Sequence, residues 1–264
     1  MTANILNIAA YHFVAIEDTA ALQITLREAT LRLALRGTIL IATEGINLFL
    51  AGNEAAIESF VSLLTAEPRF AKIEVKRSWS AHQPFKKMLV KVKNEIIRMN
   101  HPTIKPSFNP DASVRAPAVD AKTLKKWLDA GVDDKGKPVV TLDTRNAFEV
   151  DYGTFTGAID WRIDKFTEFP AAFLAHKAEL EGKTVVSFCT GGIRCEKAAI
   201  YMREAGLEDV YQLDGGILKY FEETHSDSTP NHYSGSCFVF DEREALGSDL
   251  APQDFGAASR FIKH

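Results

Sequence analysis

Cysteine is scarce in this chain of 264 residues, which contains only three. Three cysteines cannot form a disulfide scaffold, so a reducing compartment is indicated. The longest unbroken aliphatic stretches, such as residues 39–42, fall far short of the roughly 20 residues that span a bilayer. The first ten residues contain neither Lys nor Arg, so no secretory signal is predicted. These absences predict a cytoplasmic globular protein with no membrane partner.

Recognisable metal-ligand spacing is also missing. No C-x-x-C or H-x-x-x-H pair occurs among the three cysteines and seven histidines. The sequence shows no pattern typical of a flavin, haem or non-haem iron site. We therefore expect no metal site and no tightly bound cofactor, and no segment indicates a stable protein partner.

Positive charge is unevenly distributed along a chain whose net charge is −4. The segment 72–105 carries nine basic and two acidic residues, a balance of +7 that leaves −11 for the rest of the chain. A basic segment on an acidic chain is a candidate binding surface for a polyanion.

A proline-rich stretch divides the chain. Four prolines lie between residues 101 and 117, and proline disrupts both helices and central strands. We therefore predict an N-terminal domain over residues 1–100, an extended linker over 101–118, a second domain over 119–225 and a C-terminal tail over 226–264.

The first domain shows the order strand, helix, strand, strand, helix, strand. The predicted helices cover residues 19–36, ended by Gly37, and about 54–65, capped by Asn53. The predicted strands cover residues 5–14, 38–43 and 46–50, and residues 72–77 and then 85–99 finish the domain as strands after the second helix. This βαββαβ order is typical of the ferredoxin-like fold, an α+β architecture.

The second domain alternates helices with short hydrophobic strands. The predicted helices cover residues 121–130, about 166–176 and 196–205, and the predicted strands cover 139–142, 184–188 and 210–213. This alternation predicts an α/β fold with a parallel sheet covered on both faces. Ligands bind at the carboxyl ends of the strands in such sheets, and the loop after Phe188 is one such end.

That loop, Cys189-Thr-Gly-Gly-Ile-Arg-Cys195, joins a hydrophobic strand to an amphipathic helix. The two glycines let backbone N–H groups turn inward, and the positive end of the helix faces the same point. This setting lowers the pKa of a thiol, so Cys189 is the predicted nucleophile, with Arg194 as a fixed charge or a brace. The remaining loop residues are Thr190, Gly191, Gly192, Ile193 and Cys195. The alternative is a buried cysteine that only ends a strand.

Other side chains near this loop each have two interpretations. Asp143 and Arg145 end a neighbouring strand, where structural pairing is favoured over contact with a substrate. Cys195 could resolve an oxidised Cys189 or could be buried by packing. For Cys237, which lies in a hydrophobic string, packing is favoured.

The basic segment contains a predicted strand with two different faces. Lysines and apolar residues alternate along it, with Lys87, Lys91 and Lys93 on one face and Met88, Val90 and Val92 on the other. Lysines can simply protect an edge strand from aggregation. With Lys86 and Arg98 nearby and aromatic residues between them, the lysine face is predicted to bind the phosphate backbone of RNA.

Several motifs resemble known proteins. The second half of the chain resembles a rhodanese domain. The matching segments are Asp143-Thr-Arg145, Gly157-Ala-Ile159, the Cys189 loop and Val210-Tyr-Gln-Leu-Asp-Gly-Gly216. The six-residue loop resembles that of sulfurtransferases, whereas related phosphatases have one residue more. A more specific set is similar to the oxygen-dependent tRNA uridine hydroxylase family: Gly37-Thr-Ile-Leu-Ile-Ala-Thr-Glu-Gly-Ile-Asn47, Phe85-Lys-Lys-Met-Leu-Val-Lys-Val-Lys93, Cys189-Thr-Gly-Gly-Ile-Arg-Cys-Glu-Lys197 and Gly235-Ser-Cys-Phe-Val-Phe-Asp241.

This second resemblance implies hydroxylation of the wobble uridine of tRNA at carbon 5, with molecular oxygen as co-substrate and tRNA bound through its anticodon region. By position, Cys189 matches the essential cysteine of that family. A thiolate added at carbon 6 of uracil makes carbon 5 nucleophilic, and a sulfenate or persulfide on Cys189 is the alternative reagent. The source of the reducing equivalents is not indicated by the sequence.

Two other functions remain open. A rhodanese-type sulfurtransferase would carry a persulfide on Cys189, turn over thiosulfate and cyanide, and need no oxygen. A non-catalytic tRNA-binding module would have an unreactive Cys189.

Overall fold

The computed structural model describes residues 5–108, 116–226 and 231–255, which divide into two compact units. Of these residues, 5–98, 240–244 and 251–255 belong to the first unit, and the others belong to the second. The predicted linker lies partly outside the described residues, and its described part includes a short 3-10 turn at Pro106–Phe108. Both ends of the segment 240–244 connect to the second unit, so the C-terminal part of the chain contributes to both units.

The first unit consists of a five-stranded sheet and two helices. Its elements are β1 (Ile5–Phe13), α1 (Thr19–Arg32), β2 (Arg36–Ala42), β3 (Gly45–Gly52), α2 (Glu54–Ala66), β4 (Val75–Ser80) and β5 (Met88–Val92). The strand order is β4-β1-β3-β2-β5, antiparallel throughout except for the parallel pair β2–β5. The first four strands and both helices have the predicted βαββαβ order, so the ferredoxin-like fold is confirmed, with β5 added at one edge.

Alternating side chains of the central strands build the core of this unit. Leu6 and Ile8 of β1 pack with Ile39 and Ile41 of β2 and with Phe60 of α2. The second helix begins as predicted, because the Asn53 side chain accepts a hydrogen bond from the Ala55 N–H at 2.9 Å. One face of the sheet is thereby buried under apolar helix surface.

Helix α1 ends at Arg32, earlier than the predicted stop at Gly37. Gly37 lies inside β2 instead, with a φ of +138°. A Cβ at this position would lie 2.0 Å from the carbonyl oxygen of Phe49 on β3. The glycine therefore allows close pairing of two strands, and it does not end the helix.

Strand β5 is shorter than the predicted strand over 85–99. After Val92 the chain leaves the sheet, and the peptide groups at Ile96 are held by two side chains of the β2–β3 hairpin. The Ile96 N–H donates to the Glu44 carboxylate at 2.8 Å, and the Asn47 amide donates to the Ile96 carbonyl at 3.2 Å. The apolar face of this strand, with Met88, Val90 and Val92, is expected from the sequence to be buried, and this is wrong for Val92: it is the last residue of β5 and is 42% exposed.

The second unit contains a four-stranded parallel sheet of order β6-β10-β9-β7, which confirms the α/β prediction. Its elements are β6 (Ala118–Val119), α3 (Ala121–Ala130), β7 (Val139–Asp143), α4 (Ala147–Val150), β8 (Gly153–Phe155), α5 (Phe169–His176), β9 (Thr184–Phe188), α6 (Ile193–Glu204), β10 (Val210–Leu213), α7 (Gly216–Thr224), β11 (Tyr233–Gly235), β12 (Cys237–Phe238) and β13 (Ala245–Leu246). β8 pairs with β11, and β12 pairs with β13.

The sheet register brings two predicted site segments to one edge. Asp143, the last residue of β7, pairs with Phe188, the last residue of β9. The Thr144 N–H then donates to the Phe188 carbonyl at 3.0 Å. The Asp143-Thr-Arg145 segment and the Cys189 loop therefore leave the sheet side by side. Within the described residues, no helix combines the length and apolar character needed to cross a membrane.

Candidate active site

Cys189 directly follows Phe188, the last residue of β9, and is fully buried. Its Sγ accepts a hydrogen bond from the Gly192 N–H at 3.1 Å. Gly192 has a φ of +100°, a left-handed conformation that favours glycine, and α6 starts at the next residue. An added Cβ at Gly191 would meet nothing within 4 Å, so of the two glycines only Gly192 is required by the backbone.

The loop is also held from the side of α7. The N–H groups of Ile217 and Leu218 donate to the carbonyls of Cys189 and Thr190 at 3.0 and 3.1 Å. Gly216 begins this helix and lies against the loop backbone. The first turn of α7 therefore uses two of its unpaired N–H groups to fix the reactive segment.

The environment of Cys189 favours its thiolate. Burial alone raises the pKa of this thiol, but the other contacts outweigh burial and lower the pKa from 9.0 to about 5. The Cys195 thiol donates a hydrogen bond to it, the Arg194 guanidinium supplies positive charge, and the backbone N–H groups of Arg194 and Gly192 point toward it. Cys189 is therefore a thiolate at neutral pH, in agreement with the reasoning from the loop sequence.

Cys195 has the opposite character. Burial raises the pKa of its thiol well above the ordinary value, and the neighbouring Cys189 thiolate raises it further. Its Sγ also lies 3.8 Å from Thr144 Oγ1. A thiol held protonated is a poor nucleophile, so the arrangement favours Cys195 as a hydrogen-bond donor over a resolving thiol.

We expect the thiolate absorbance of Cys189 in the ultraviolet to disappear only when the pH falls through about 5. The sign follows from the lowered pKa: the thiolate is present at every pH above it. The measurement is the difference titration between the wild type and Cys189→Ala. Cys195→Ala removes a donor and shifts the midpoint upward. A wild-type midpoint near that of a free thiol would contradict this description of the loop.

Arg194 turns away from solvent onto a carboxylate that the sequence reasoning did not identify. Its two terminal nitrogens donate to the two oxygens of Glu149 at 2.6 and 2.7 Å. Glu149 lies in α4, is fully buried and also accepts the Asn146 N–H at 3.1 Å. This bidentate pair is the strong, geometrically defined type of Arg–carboxylate contact. Arg194 is thereby held in one orientation beside Cys189.

Asp143 and Arg145 form a second, entirely buried ion pair. Arg145 Nη2 donates to Asp143 at 2.7 Å and to the Gly153 carbonyl at 2.6 Å. The Thr154 hydroxyl donates to the same carboxylate at 2.8 Å. These contacts join the end of β7 to β8, which agrees with the bracing role favoured from sequence.

The third cysteine, Cys237, is buried in the apolar core of the unit. Burial raises the pKa of its thiol to about 12, so it remains protonated. The adjacent Phe238 carbonyl accepts a hydrogen bond from the Thr190 hydroxyl at 3.5 Å. The segment around β12 thus packs directly against the cysteine loop.

The basic residues predicted to bind RNA belong to the first unit. All five are exposed: Lys86, Lys87, Lys91, Lys93 and Arg98. Lys86 has a weak, solvent-exposed ion pair with Glu242 at 3.7 Å. The basic segment is not uniformly available, because Arg77 turns toward α2 and pairs with Glu58 at 3.0 Å. The lysines of β5 and its flanks form the exposed row, on an edge strand of the sheet.

Two family models match the chain in the order that the fold shows. The UPF0176 acylphosphatase like domain matches residues 5–96, and the rhodanese-like domain matches residues 120–223. The fold and the cysteine loop together define a rhodanese-like protein with an acylphosphatase-like N-terminal domain.

Relatives with one shared name cover nearly the whole chain. The tRNA uridine(34) hydroxylase of Variovorax paradoxus (strain S110) is 62% identical over 97% of this chain and 94% of that protein. The proteins of the same name from Delftia acidovorans and Bordetella avium are 63% and 62% identical, over 94% of this chain and 91% and 99% of theirs. The chain belongs to the tRNA uridine(34) hydroxylase family, and the resemblance read from the sequence is confirmed.

Proposed function

We propose that this chain hydroxylates uridine 34 of tRNA at carbon 5 with molecular oxygen, and that the thiolate of Cys189 is the reacting group. Membership of the hydroxylase family supports the reaction and the substrate. The observation that carries the role of Cys189 is its lowered pKa within a loop that aims two backbone N–H groups at its sulfur. Cys189 is a free cysteine in the described part of the chain, and the thiolate is the nucleophilic form of cysteine.

The proposed chemistry begins with addition of the thiolate to carbon 6 of uracil. This addition moves negative charge onto the carbonyl oxygen at carbon 4, and carbon 5 of the resulting enolate is the nucleophile that reacts with oxygen. Over the whole reaction one oxygen atom enters the base and the other leaves as water, with two electrons and two protons from an external reductant. The thiolate leaves when the ring regains its double bond, so Cys189 ends unchanged.

Arg194 is suited to stabilise the charge that develops on the base. Its two terminal nitrogens are occupied by Glu149, but its Nε is buried and has no hydrogen-bond partner among the residues that the structure describes. A buried donor without a partner is costly unless a ligand supplies the acceptor. A carbonyl oxygen of uracil is such an acceptor. A hydrogen-bond donor that is already in place where an oxyanion develops lowers the activation free energy substantially.

The decisive experiment is nucleoside mass spectrometry on tRNA that lacks 5-hydroxyuridine, incubated with the protein and a reductant in the presence and absence of oxygen. We expect 5-hydroxyuridine only with oxygen, and none with Cys189→Ala. A sulfur-bearing nucleoside formed without oxygen would replace the proposal with the sulfurtransferase function. Bound but unmodified tRNA in every condition would indicate a binding module.

We further propose that the exposed lysine row of the first unit binds the backbone of the anticodon region. Replacing Lys87, Lys91 and Lys93 together by Glu is expected to weaken tRNA binding at least 100-fold and to reduce the slope of log K against log salt by about 2. The three lysines are exposed, with Lys91 in the edge strand β5 and the other two directly beside it, so the fold is retained. Filter binding across a salt series measures both quantities.

A matched variant controls for overall charge. Replacing Lys122, Lys126 and Lys135 by Glu changes the net charge equally at exposed positions of the second unit. This variant is expected to bind tRNA with a much smaller loss. Equal losses in the two triple variants would mean that net charge, and not the β5 row, determines binding.

A further inference from the structure

Phe148 is an exposed aromatic side chain in the helix that positions Arg194. It lies in α4 next to Glu149 and is 45% exposed. Single exposed apolar side chains are common on protein surfaces, so it is the position of Phe148 that distinguishes it. The contacts of Phe148 and of its neighbour Glu149 place it beside the cysteine loop.

Two separate contacts connect Phe148 to that loop. Through the backbone of α4 it is adjacent to Glu149, whose carboxylate holds Arg194 at 2.6 and 2.7 Å. Through its ring it packs edge-on against Phe238, with ring centroids 5.1 Å apart. The Phe238 carbonyl in turn accepts a hydrogen bond from Thr190, the residue after Cys189. The ring therefore packs on Phe238, and the residue is 45% exposed.

A base that reacts with Cys189 needs a stacking partner. Cys189 is fully buried, so the base has to leave the stack of its neighbours in the RNA. Unpaired bases are commonly held on aromatic side chains, because the protein ring takes the place of the neighbouring bases on which they had stacked. The second unit offers one large aromatic ring that is both exposed and anchored next to the cysteine loop within the described residues, and that ring is Phe148.

We infer that Phe148 stacks on the base of the uridine that enters the site, and so positions carbon 6 for Cys189. The inference rests on the proposed function, because it takes the reacting uridine as the occupant. It adds a residue that binds the base without taking part in bond making. Phe238 supports the Phe148 ring, and Tyr152 packs in turn on Phe238 with ring centroids 5.2 Å apart.

The test measures binding of an anticodon stem–loop RNA to the full chain in a Cys189→Ala background, where turnover cannot interfere. Phe148→Ala and Phe148→Leu are expected to raise the Kd about 10-fold, whereas Phe148→Tyr restores it. An RNA that is abasic at position 34 is expected to bind equally to the protein with Phe148 and to its Ala, Leu and Tyr variants. A leucine side chain can still pack against Phe238 but cannot stack on a base. A loss of affinity in Phe148→Leu therefore indicates stacking and not packing.

A second measurement observes the stacking directly. In Phe148→Trp the added fluorescence is expected to be quenched by the uridine RNA and not by the abasic RNA. Leu174→Trp is the matched control, because Leu174 is 63% exposed on α5 of the same unit, and its signal is expected to stay constant. Unchanged affinity in Phe148→Ala, or an equal loss with the abasic RNA, would overturn the inference. Neither readout depends on hydroxylation, so the oxygen experiment tests the proposed function separately.

Discussion

Replacing Gly216 by Ala is expected to abolish hydroxylation and to lower the free energy of unfolding by roughly 2–4 kcal/mol. Gly216 has a φ of +68°, and its added Cβ would lie 2.5 Å from the Cys189 carbonyl oxygen and 2.7 Å from the Gly192 nitrogen. Both atoms belong to the backbone of the cysteine loop, so no side chain can move aside. The clash displaces the N–H groups that stabilise the thiolate. Denaturant unfolding and nucleoside analysis measure the two effects.

Gly182→Ala separates the clash from the backbone strain. Gly182 has a φ of +74°, close to that of Gly216, but a Cβ there would meet nothing within 4 Å. This variant is expected to lose only the ~1–2 kcal/mol of a left-handed alanine and to keep its activity. Similar losses in the two variants would show that close packing against the loop contributes nothing.

The second large effect is expected from Glu149→Gln. The substitution keeps the shape of the side chain but leaves the buried Arg194 guanidinium without its counter-charge. Removing one partner of a buried ion pair lowers the free energy of unfolding by about 3–5 kcal/mol, so the thermal unfolding midpoint falls markedly. Arg194 also loses its fixed orientation, and misplacement of a catalytic group by about 1 Å can cost 100-fold in rate. We therefore expect hydroxylation to fall at least 100-fold at temperatures where the variant is folded.

The control is Glu181→Gln, a substitution of the same kind at an exposed position of the same unit. It is expected to change the unfolding free energy by no more than about 0.5 kcal/mol and to leave the rate unchanged. If Glu149→Gln were as stable and active as this control, the bidentate contact with Arg194 would contribute neither to stability nor to catalysis.

Elements with local signals were predictable from the sequence. Strands β9 and β10 have the predicted bounds, since short apolar runs are bounded there by polar turns. Helix α3 also has its predicted bounds: the Asp120 side chain caps its start, and Gly131 ends it with a φ of +72°. In each case the determining residues lie within the element or directly beside it.

Features that depend on distant partners were not predictable in the same way. Glu149 lies 45 positions before Arg194, in a helix of four residues that is too short to show periodicity. Arg77 was counted with the basic segment, yet its partner Glu58 comes from a preceding helix. Helix α6 begins three residues before the predicted start, because Gly192 ends the loop in a left-handed conformation that the residue pattern does not specify.

Neither compact unit is a continuous stretch of the chain, and this restricts how the protein can be recombined. Arg243, far along the chain, donates to the Ser78 hydroxyl of β4 at 2.6 Å and pairs with Asp241. The Glu242 N–H donates to the Pro84 carbonyl at 3.1 Å. A fragment that stops at residue 98 lacks these bonds, and a fragment that starts at residue 99 carries their donors without their acceptors. Exchange of either half as a cassette between homologous genes therefore has to transfer two separate segments that match each other.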